Sequence, residues 1–196
     1  HVIVNAAAYT AVDQAEEEVH IARQINVEGP RNLALAAKKN GSLLIHVSTD
    51  YVFDGFGTRP YIEDDIKNPL GAYGQTKLDG EIAVSQILTS AIIIRTSWVF
   101  SEYGKNFVKT MLKLAKFRSE LSIVDDQRGC PTYAGDIAET IITLICNKVT
   151  GDIYHFCGNE EVSLYNFAQT IFDEAYEIGL SSQKPLLFPI NSKDYP

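Results

Sequence analysis

The stretch Leu43-Leu44-Ile45-His46-Val47-Ser48-Thr49-Asp50 runs from an apolar segment, broken only by His46, straight into three small polar residues. An apolar run without polar alternation forms a strand buried on both faces, as in a parallel sheet covered by helices. Ser48-Thr49-Asp50 then falls at the carboxyl end of that strand, where open parallel sheets bind ligands. Upstream, Val2 to Ala8 reads as a second buried strand. Between the two, Val19 to Lys39 carries a helical apolar face of Ile21, Ile25, Leu33, Ala36 and Ala37 around a Gly29-Pro30 step. Downstream the alternation continues as helix Tyr73 to Leu88, strand Ala91 to Ile94, helix Phe107 to Phe117 and strand Leu121 to Val124. Helix Asp136 to Cys146, strand Ile153 to Cys157 and a helix capped by Ser163 and running to about Ile178 complete it. Alternating strand and helix predicts a doubly wound α/β fold with a parallel sheet. Repeats, low-complexity tracts and flexible linkers are absent. The Gly- and Pro-rich stretch Asp54 to Gly71 is a long connection of the kind that lines sites.

The 196 residues suffice for one sizeable core or for one and a half interleaved domains. Apolar residues at 45% and charged residues at 21% fit an ordinary globular chain. A net charge of −8, with Lys38-Lys39 as the densest basic pair, argues against nucleic-acid and anionic-membrane partners, whose phosphates such a field repels. Cys130, Cys146 and Cys157 form no C-x-x-C pair and cannot all pair within one chain, which points to a reducing compartment. Apolar runs stay short of membrane-spanning length and no signal-peptide pattern stands at the start, so a cytoplasmic location is expected.

Three features fall at or just beyond strand carboxyl ends or at a helix start: Asn5-Ala6-Ala7-Ala8, Ser48-Thr49-Asp50 and Tyr73-x-x-x-Lys77. Residues four apart share one helix face, so the Tyr73 hydroxyl and Lys77 ammonium can share a site. A tyrosine titrates ordinarily near pH ~10, and a neighbouring ammonium favours its phenolate. Tyr73 can then give a proton to a carbonyl oxygen as hydride reaches its carbon, while the Thr49 hydroxyl holds that oxygen. Each feature alone has a plainer reading. Tyr-x-x-x-Lys is by itself a surface pair, and Ser48-Thr49 turn chemistry. His46 and His155 read as sheet or core histidines, Glu16-Glu17-Glu18 and Glu63-Asp64-Asp65 as solvated acidic runs, and Cys130 has no base marking it as a nucleophile. Trp98, the single tryptophan, reads as core or as site. Metal-ligand spacing appears nowhere, so no metal ligands are assigned.

Order and placement change the weight of these features. The arrangement resembles the extended short-chain dehydrogenase/reductase superfamily, with a Rossmann-like sheet. Within it, the wording is similar to the dTDP-4-dehydrorhamnose reductase family from near the first residue to the last. The blocks are Asn5-Ala6-Ala7-Ala8-Tyr9-Thr10-Ala11-Val12-Asp13, Ser48-Thr49-Asp50-Tyr51-Val52-Phe53-Asp54-Gly55, Tyr73-Gly74-Gln75-Thr76-Lys77-Leu78, Arg95-Thr96-Ser97-Trp98-Val99-Phe100, Lys105-Asn106-Phe107-Val108 and Asp126-Gln127-Arg128-Gly129-Cys130-Pro131-Thr132. The resemblance implies catalytic Thr49, Tyr73 and Lys77, with Lys77 lowering the Tyr73 pKa. It places Asn5, Ala6, Ala7 and Ala8, with Tyr73 and Lys77, along a bound NADPH or NADH. Thr49, Trp98, Asn106, Gln127 and Thr132 would face a sugar nucleotide. The implied reaction reduces C4 of dTDP-4-dehydro-L-rhamnose to give dTDP-L-rhamnose for cell-surface polysaccharide. A homodimer, in some relatives with a divalent metal at its interface, belongs to the same expectation.

The family begins with a strand and a Gly-rich turn that seats the cofactor pyrophosphate at a helix N-terminus. Gly55-Phe56-Gly57 follows no strand and opens no helix, so those first strands are expected to be missing from this sequence. The family's C-terminal part is likewise expected to be cut soon after Tyr195-Pro196. By resemblance, residues 1 to 100 and 135 to 158 form the rest of a dinucleotide-binding domain, and 101 to 134 and 159 to 196 part of a smaller interleaved substrate-binding portion. Two rivals stay open. Sugar-nucleotide dehydratases of the superfamily follow their Thr-Asp with a glutamate, where this chain has Tyr51, and an epimerase is not excluded by that residue. The regulatory subunit of methionine adenosyltransferase shares the Ser-Asp-Tyr-Val-Phe-like stretch and binds a partner without catalysis.

Overall fold

The computed structural model describes residues 1–194; the chain end at Tyr195-Pro196, where the C-terminal cut was expected, lies outside the described residues. β1 (Val2–Asn5) leads into the short helices α1 (Gln14–Glu17) and α2 (Val19–Arg23), a π-helical turn over Gln24–Glu28, and α3 (Gly29–Asn40). β2 (Leu43–Thr49) runs into a 3-10 turn at Asp50–Val52, followed by the long loop, α4 (Ala72–Ile87) and β3 (Ile92–Thr96). Then come β4 (Val99–Phe100), α5 (Phe107–Leu114), β5 (Glu120–Val124), β6 (Arg128–Gly129), β7 (Thr132–Tyr133) and α6 (Ala134–Cys146). β8 (Asp152–His155), β9 (Val162–Ser163), α7 (Leu164–Glu177), β10 (Leu186–Ile190) and a 3-10 turn over Ser192–Asp194 complete the described elements. The chain divides into two compact units, His1–Thr96 with Glu139–Phe156, and Ser97–Ala138 with the chain from Cys157 onward.

The first unit is built on a four-stranded sheet of order β1-β2-β3-β8, parallel throughout. Every residue of β3 is buried, as a strand covered on both faces requires. Ala34 and Ala37 of α3, Leu44 of β2, Val84 of α4 and Ala91 form one core cluster. The long helical segment is not continuous, and the Gly-Pro step explains why. Pro30 has no N–H to offer the Asn26 carbonyl and its ring crowds that carbonyl. The backbone widens into the π turn, in which Gly29 N–H bonds to Gln24 O, and α3 restarts with Pro30 in its first turn.

The second unit holds three strand pairs, β10 with β5 and β4 with β7 in parallel, and β6 with β9 antiparallel. Its core is Met111 of α5, Leu121 and Ile123 of β5, and Phe167, Ala168, Ile171 and Phe172 of α7. Fully burying side chains of this size contributes roughly 1.5–3 kcal/mol each. Ser163 caps α7 as its position predicts, its hydroxyl accepting from Asn166 N–H at 3.0 Å. Several boundaries differ from expectation. The first strand stops at Asn5 rather than Ala8, because the Asn5 side chain takes the Ala7 N–H at 3.2 Å and turns the chain. The helix expected to reach Phe117 ends at Leu114, and α6 begins at Ala134. β10 was not foreseen, since Pro189 interrupts its pattern; a pair with β5 alone tolerates the missing donor.

Candidate active site

The first unit brings Asn5, Thr49 and Thr96 to the carboxyl ends of β1, β2 and β3. Thr49 pairs in register with Thr96, and Asn5 with His46. Asn5 and Thr49 are buried, whereas Ala6 and Ala7 are exposed just past β1. The Asn5 amide donates to His46 Nδ1 at 2.9 Å. Burial pushes the His46 imidazole down to about 3, so it is a neutral core histidine. His155 lies at the end of β8, half-buried, with Nδ1 against the Tyr61 carbonyl at 3.1 Å.

α4 meets this edge closely because two of its residues have no Cβ. A Cβ at Gly74 would stand 2.2 Å from the Tyr51 carbonyl oxygen, and one at Gly80 would stand 2.1 Å from the Asn26 carbonyl oxygen. The helix backbone therefore rests directly on the turn after β2 and on the π turn. This seats Tyr73 beside Thr49 and Tyr51, the two tyrosine rings meeting edge to face at 5.4 Å. Lys77, 2% exposed, donates from Nζ to the Val47 carbonyl at 2.7 Å.

Electrostatics qualify the expected roles. Burial pushes the Tyr73 phenol up to about 12; a hydrogen bond with Thr49 works the other way, while Asp50 and Tyr51 add to the rise. The expected lowering by Lys77 does not appear in this state, because burial outweighs the Thr49 hydrogen bond and the ammonium is committed to Val47. Burial also pushes Lys77 down to about 8, against the opposing field of Glu81. Asp50 is raised to about 6, chiefly by desolvation. Tyr73 is thus firmly protonated, the state a proton donor needs.

In the second unit Trp98 is half-buried, stacks on Phe167 with centroids 6.4 Å apart, and holds the left-handed φ of 46° that is rare for a non-glycine residue. Asn106 caps α5: Oδ1 accepts from Lys109 N–H at 3.0 Å, and Nδ2 donates to the Ser101 carbonyl at 2.7 Å. Thr132 is 1% exposed and donates to the Cys130 carbonyl at 3.0 Å. Gln127 is exposed. Asn5, Thr49, Tyr73 and Lys77 thus lie in the first unit, and Trp98, Asn106, Gln127 and Thr132 in the second.

A family model described as the RmlD substrate binding domain matches residues 1–196. A dTDP-4-dehydrorhamnose reductase of Aggregatibacter actinomycetemcomitans is 50% identical over 201 residues, covering 100% of this chain and 68% of the relative. The chain belongs to the dTDP-4-dehydrorhamnose reductase family. The corresponding protein of Escherichia coli K12 is 42% identical over the whole chain and 67% of its own length. The Bacillus anthracis reductase, solved in complex with NADP, superposes with a TM-score of 0.93 at 40% identity, over 100% of this chain and 68% of that one. The chain therefore spans about two thirds of the reductases it matches.

The carboxyl edge of the sheet offers features that suit a nicotinamide cofactor. Ala6 and Ala7 expose single-carbon side chains there, and the buried Thr96 hydroxyl has no protein partner among the described residues. Groups of three or more metal-ligating side chains are absent among the described residues, and no described helix is long and apolar enough to cross a membrane. Sequence reasoning assigned no role to three buried residues. Asn26, 1% exposed, accepts from Tyr9 N–H at 2.8 Å and donates to Thr76 Oγ1 at 3.1 Å, tying the turn after β1 to α4. Glu81 and Arg95 form an ion pair with both side chains 2% exposed. The sequence carries little signal for them, because each takes its role from partners distant in the chain.

Proposed function

We propose that this reductase-family chain takes part in the NAD(P)H-dependent reduction of the C4 carbonyl of dTDP-4-dehydro-L-rhamnose, giving dTDP-L-rhamnose for cell-surface polysaccharide in the cytoplasm. The observation that carries the reading is the placement of Thr49, Tyr73 and Lys77 around the carboxyl end of one buried strand. Asn5 to Ala8, Tyr73 and Lys77 would hold the dinucleotide, which supplies the hydride when bound. Tyr73 gives its phenolic proton to the nascent alkoxide at O4, and Thr49 donates a hydrogen bond to the same oxygen. Lys77 orients the dinucleotide ribose, and its charge favours the phenolate left on Tyr73. Tyr51 stands where a dehydratase would need an acid, which supports net reduction over elimination. Contacts to the sugar nucleotide are assigned to Trp98 and the Gln127-to-Thr132 loop; the Asn106 amide is engaged in its cap, which favours a supporting role there.

The test uses the full-length protein with dTDP-4-dehydro-L-rhamnose, following loss of absorbance first from NADPH and then from NADH. Consumption that depends on the sugar nucleotide is expected and ranks the two cofactors. A folded protein that consumes neither sinks the reading.

A further inference from the structure

α4 presents Tyr73, Lys77 and Glu81 at successive spacings of four, so all three share one face of the helix. Glu81 does not reach solvent. Arg95 of β3 grips it side-on, Nε to Oε1 at 3.0 Å and one terminal nitrogen to Oε2 at 2.7 Å. Ser48 of β2 donates to Oε1 at 2.5 Å. Arg95 is itself held by the Glu63 carbonyl at 3.2 Å, by His155 Nε2 at 3.3 Å and by the Phe53 ring at 5.3 Å. Burying such a pair desolvates both charges, and a well-packed apolar pair often does as well or better for stability. Its position beside the buried Lys77 and behind Ser48-Thr49 calls for another reason.

Resting on the reductase reading above, we infer that Glu81 is a positioning residue for Lys77: clamped by Arg95 and Ser48 one turn further along α4, its carboxylate sets a fixed negative charge behind the buried ammonium. The clamp holds the carboxylate on Arg95 and Ser48, while the Lys77 ammonium donates to the Val47 carbonyl. The neighbouring groups leave this task to Glu81. On β2, His46 feels the ammonium but is neutral, pushed down to about 3. On β3, Arg95 is a cation whose charge Glu81 itself offsets. On α4, Tyr73 is a protonated phenol. Glu81 is the group whose field opposes the desolvation that pushes Lys77 down to about 8.

The substitution Glu81→Gln keeps the shape and removes the charge. It leaves Arg95 buried without a counter-charge, so Glu81→Gln/Arg95→Met, with no unpaired charge, is made beside it. Lys77 is titrated by 13Cε NMR and the pH dependence of kcat is measured, both on the full-length protein. Glu81→Gln is expected to lower the Lys77 midpoint by about one pH unit, as loss of a nearby opposite charge does, and the double variant by less, because the Arg95 cation leaves with the carboxylate. The alkaline limb of kcat should move down with it, since the ammonium then discharges at lower pH, and Glu81→Asp should restore most of both. A Lys77 midpoint unmoved in folded Glu81→Gln, or, where that variant does not fold, one no lower in Glu81→Gln/Arg95→Met than in Arg95→Met, overturns the inference, even if activity falls. Absence of reductase activity in the wild-type protein would instead remove the proposed function, and the NMR titration would still decide the role of Glu81.

Discussion

α4 and α7 are helices of similar length with opposite buried faces. α7 buries Phe167, Ala168, Ile171, Phe172 and Ala175, an ordinary apolar stripe. α4 buries Gly74, Thr76, Lys77, Gly80, Glu81 and Val84, of which only Val84 is a sizeable hydrophobe. Hydrophobic burial positions α7. α4 is positioned by close backbone approach at its two glycines and by polar contacts, Thr76 to Asn26, Lys77 to Val47 and Glu81 to Arg95. A helix seated this way gains little from the transfer of apolar surface, and its buried polar groups must all be satisfied. Stability and chemistry are therefore expected to separate between the two helices.

The widest separation is predicted for Tyr73→Phe against Phe172→Ala. Tyr73→Phe removes the proposed proton donor, and kcat should fall by roughly 10²- to 10⁴-fold in the full-length protein while its unfolding midpoint stays near wild type. Wild-type-like turnover would break the mechanism. Phe172→Ala empties part of the second unit's core and should cost about 3–5 kcal/mol in denaturant unfolding. Turnover of the molecules that remain folded should change far less. A Phe172 variant that kept its stability would show that α7 is not held by its apolar stripe.

The same contrast governs what the sequence reveals. α7 was legible because a 3.6-residue apolar period and a serine at the cap describe it completely. The strands of the first unit were legible for the same reason, as continuous apolar runs. On α4 the Tyr73 and Lys77 spacing could be read, but Glu81 looks like any solvated helix glutamate until Arg95 and Ser48 arrive from two strands. Asn26 likewise takes its meaning from Tyr9 and Thr76, partners 17 and 50 positions away. In the second unit the motifs placed the loops, whereas side-chain roles depended on local bonds. Asn106 and Thr132 prove to be engaged with nearby backbone. Pro189 hid β10 because the disfavour of proline in strands is relaxed only at an edge, and edges are a property of the assembled sheet.

A pH measurement sharpens the claim that the functional face is held against stability. Asp50 sits at the start of that face and its carboxyl is raised to about 6, mainly by desolvation, from an ordinary value near 3.8. Between these values the folded state binds the proton more tightly than the unfolded chain. The contribution of this group is thus present below about pH 4 and lost as pH rises through about 6. Asp50→Asn should therefore gain stability relative to wild type across that window, by up to about 1.4 kcal/mol per pH unit, and level off above it. A difference that is flat with pH would show that the carboxyl is solvated rather than held in a costly position.

The smallest effect tests the other side of the comparison, whether Asn106 is a capping residue or a sugar contact. Removing the cap by Asn106→Ala should cost about 0.5–2 kcal/mol of stability, as loss of a side-chain acceptor at a helix start does. Asn106→Asp keeps an acceptor for the Lys109 N–H and adds a charge favourable to the helix N-terminus, but loses the donor to the Ser101 carbonyl, and should recover part of that loss. The KM for the sugar nucleotide separates the roles. If the amide serves only the cap, Asn106→Asp restores KM along with stability. A KM that stays raised in a protein whose stability has recovered would assign the amide to the substrate.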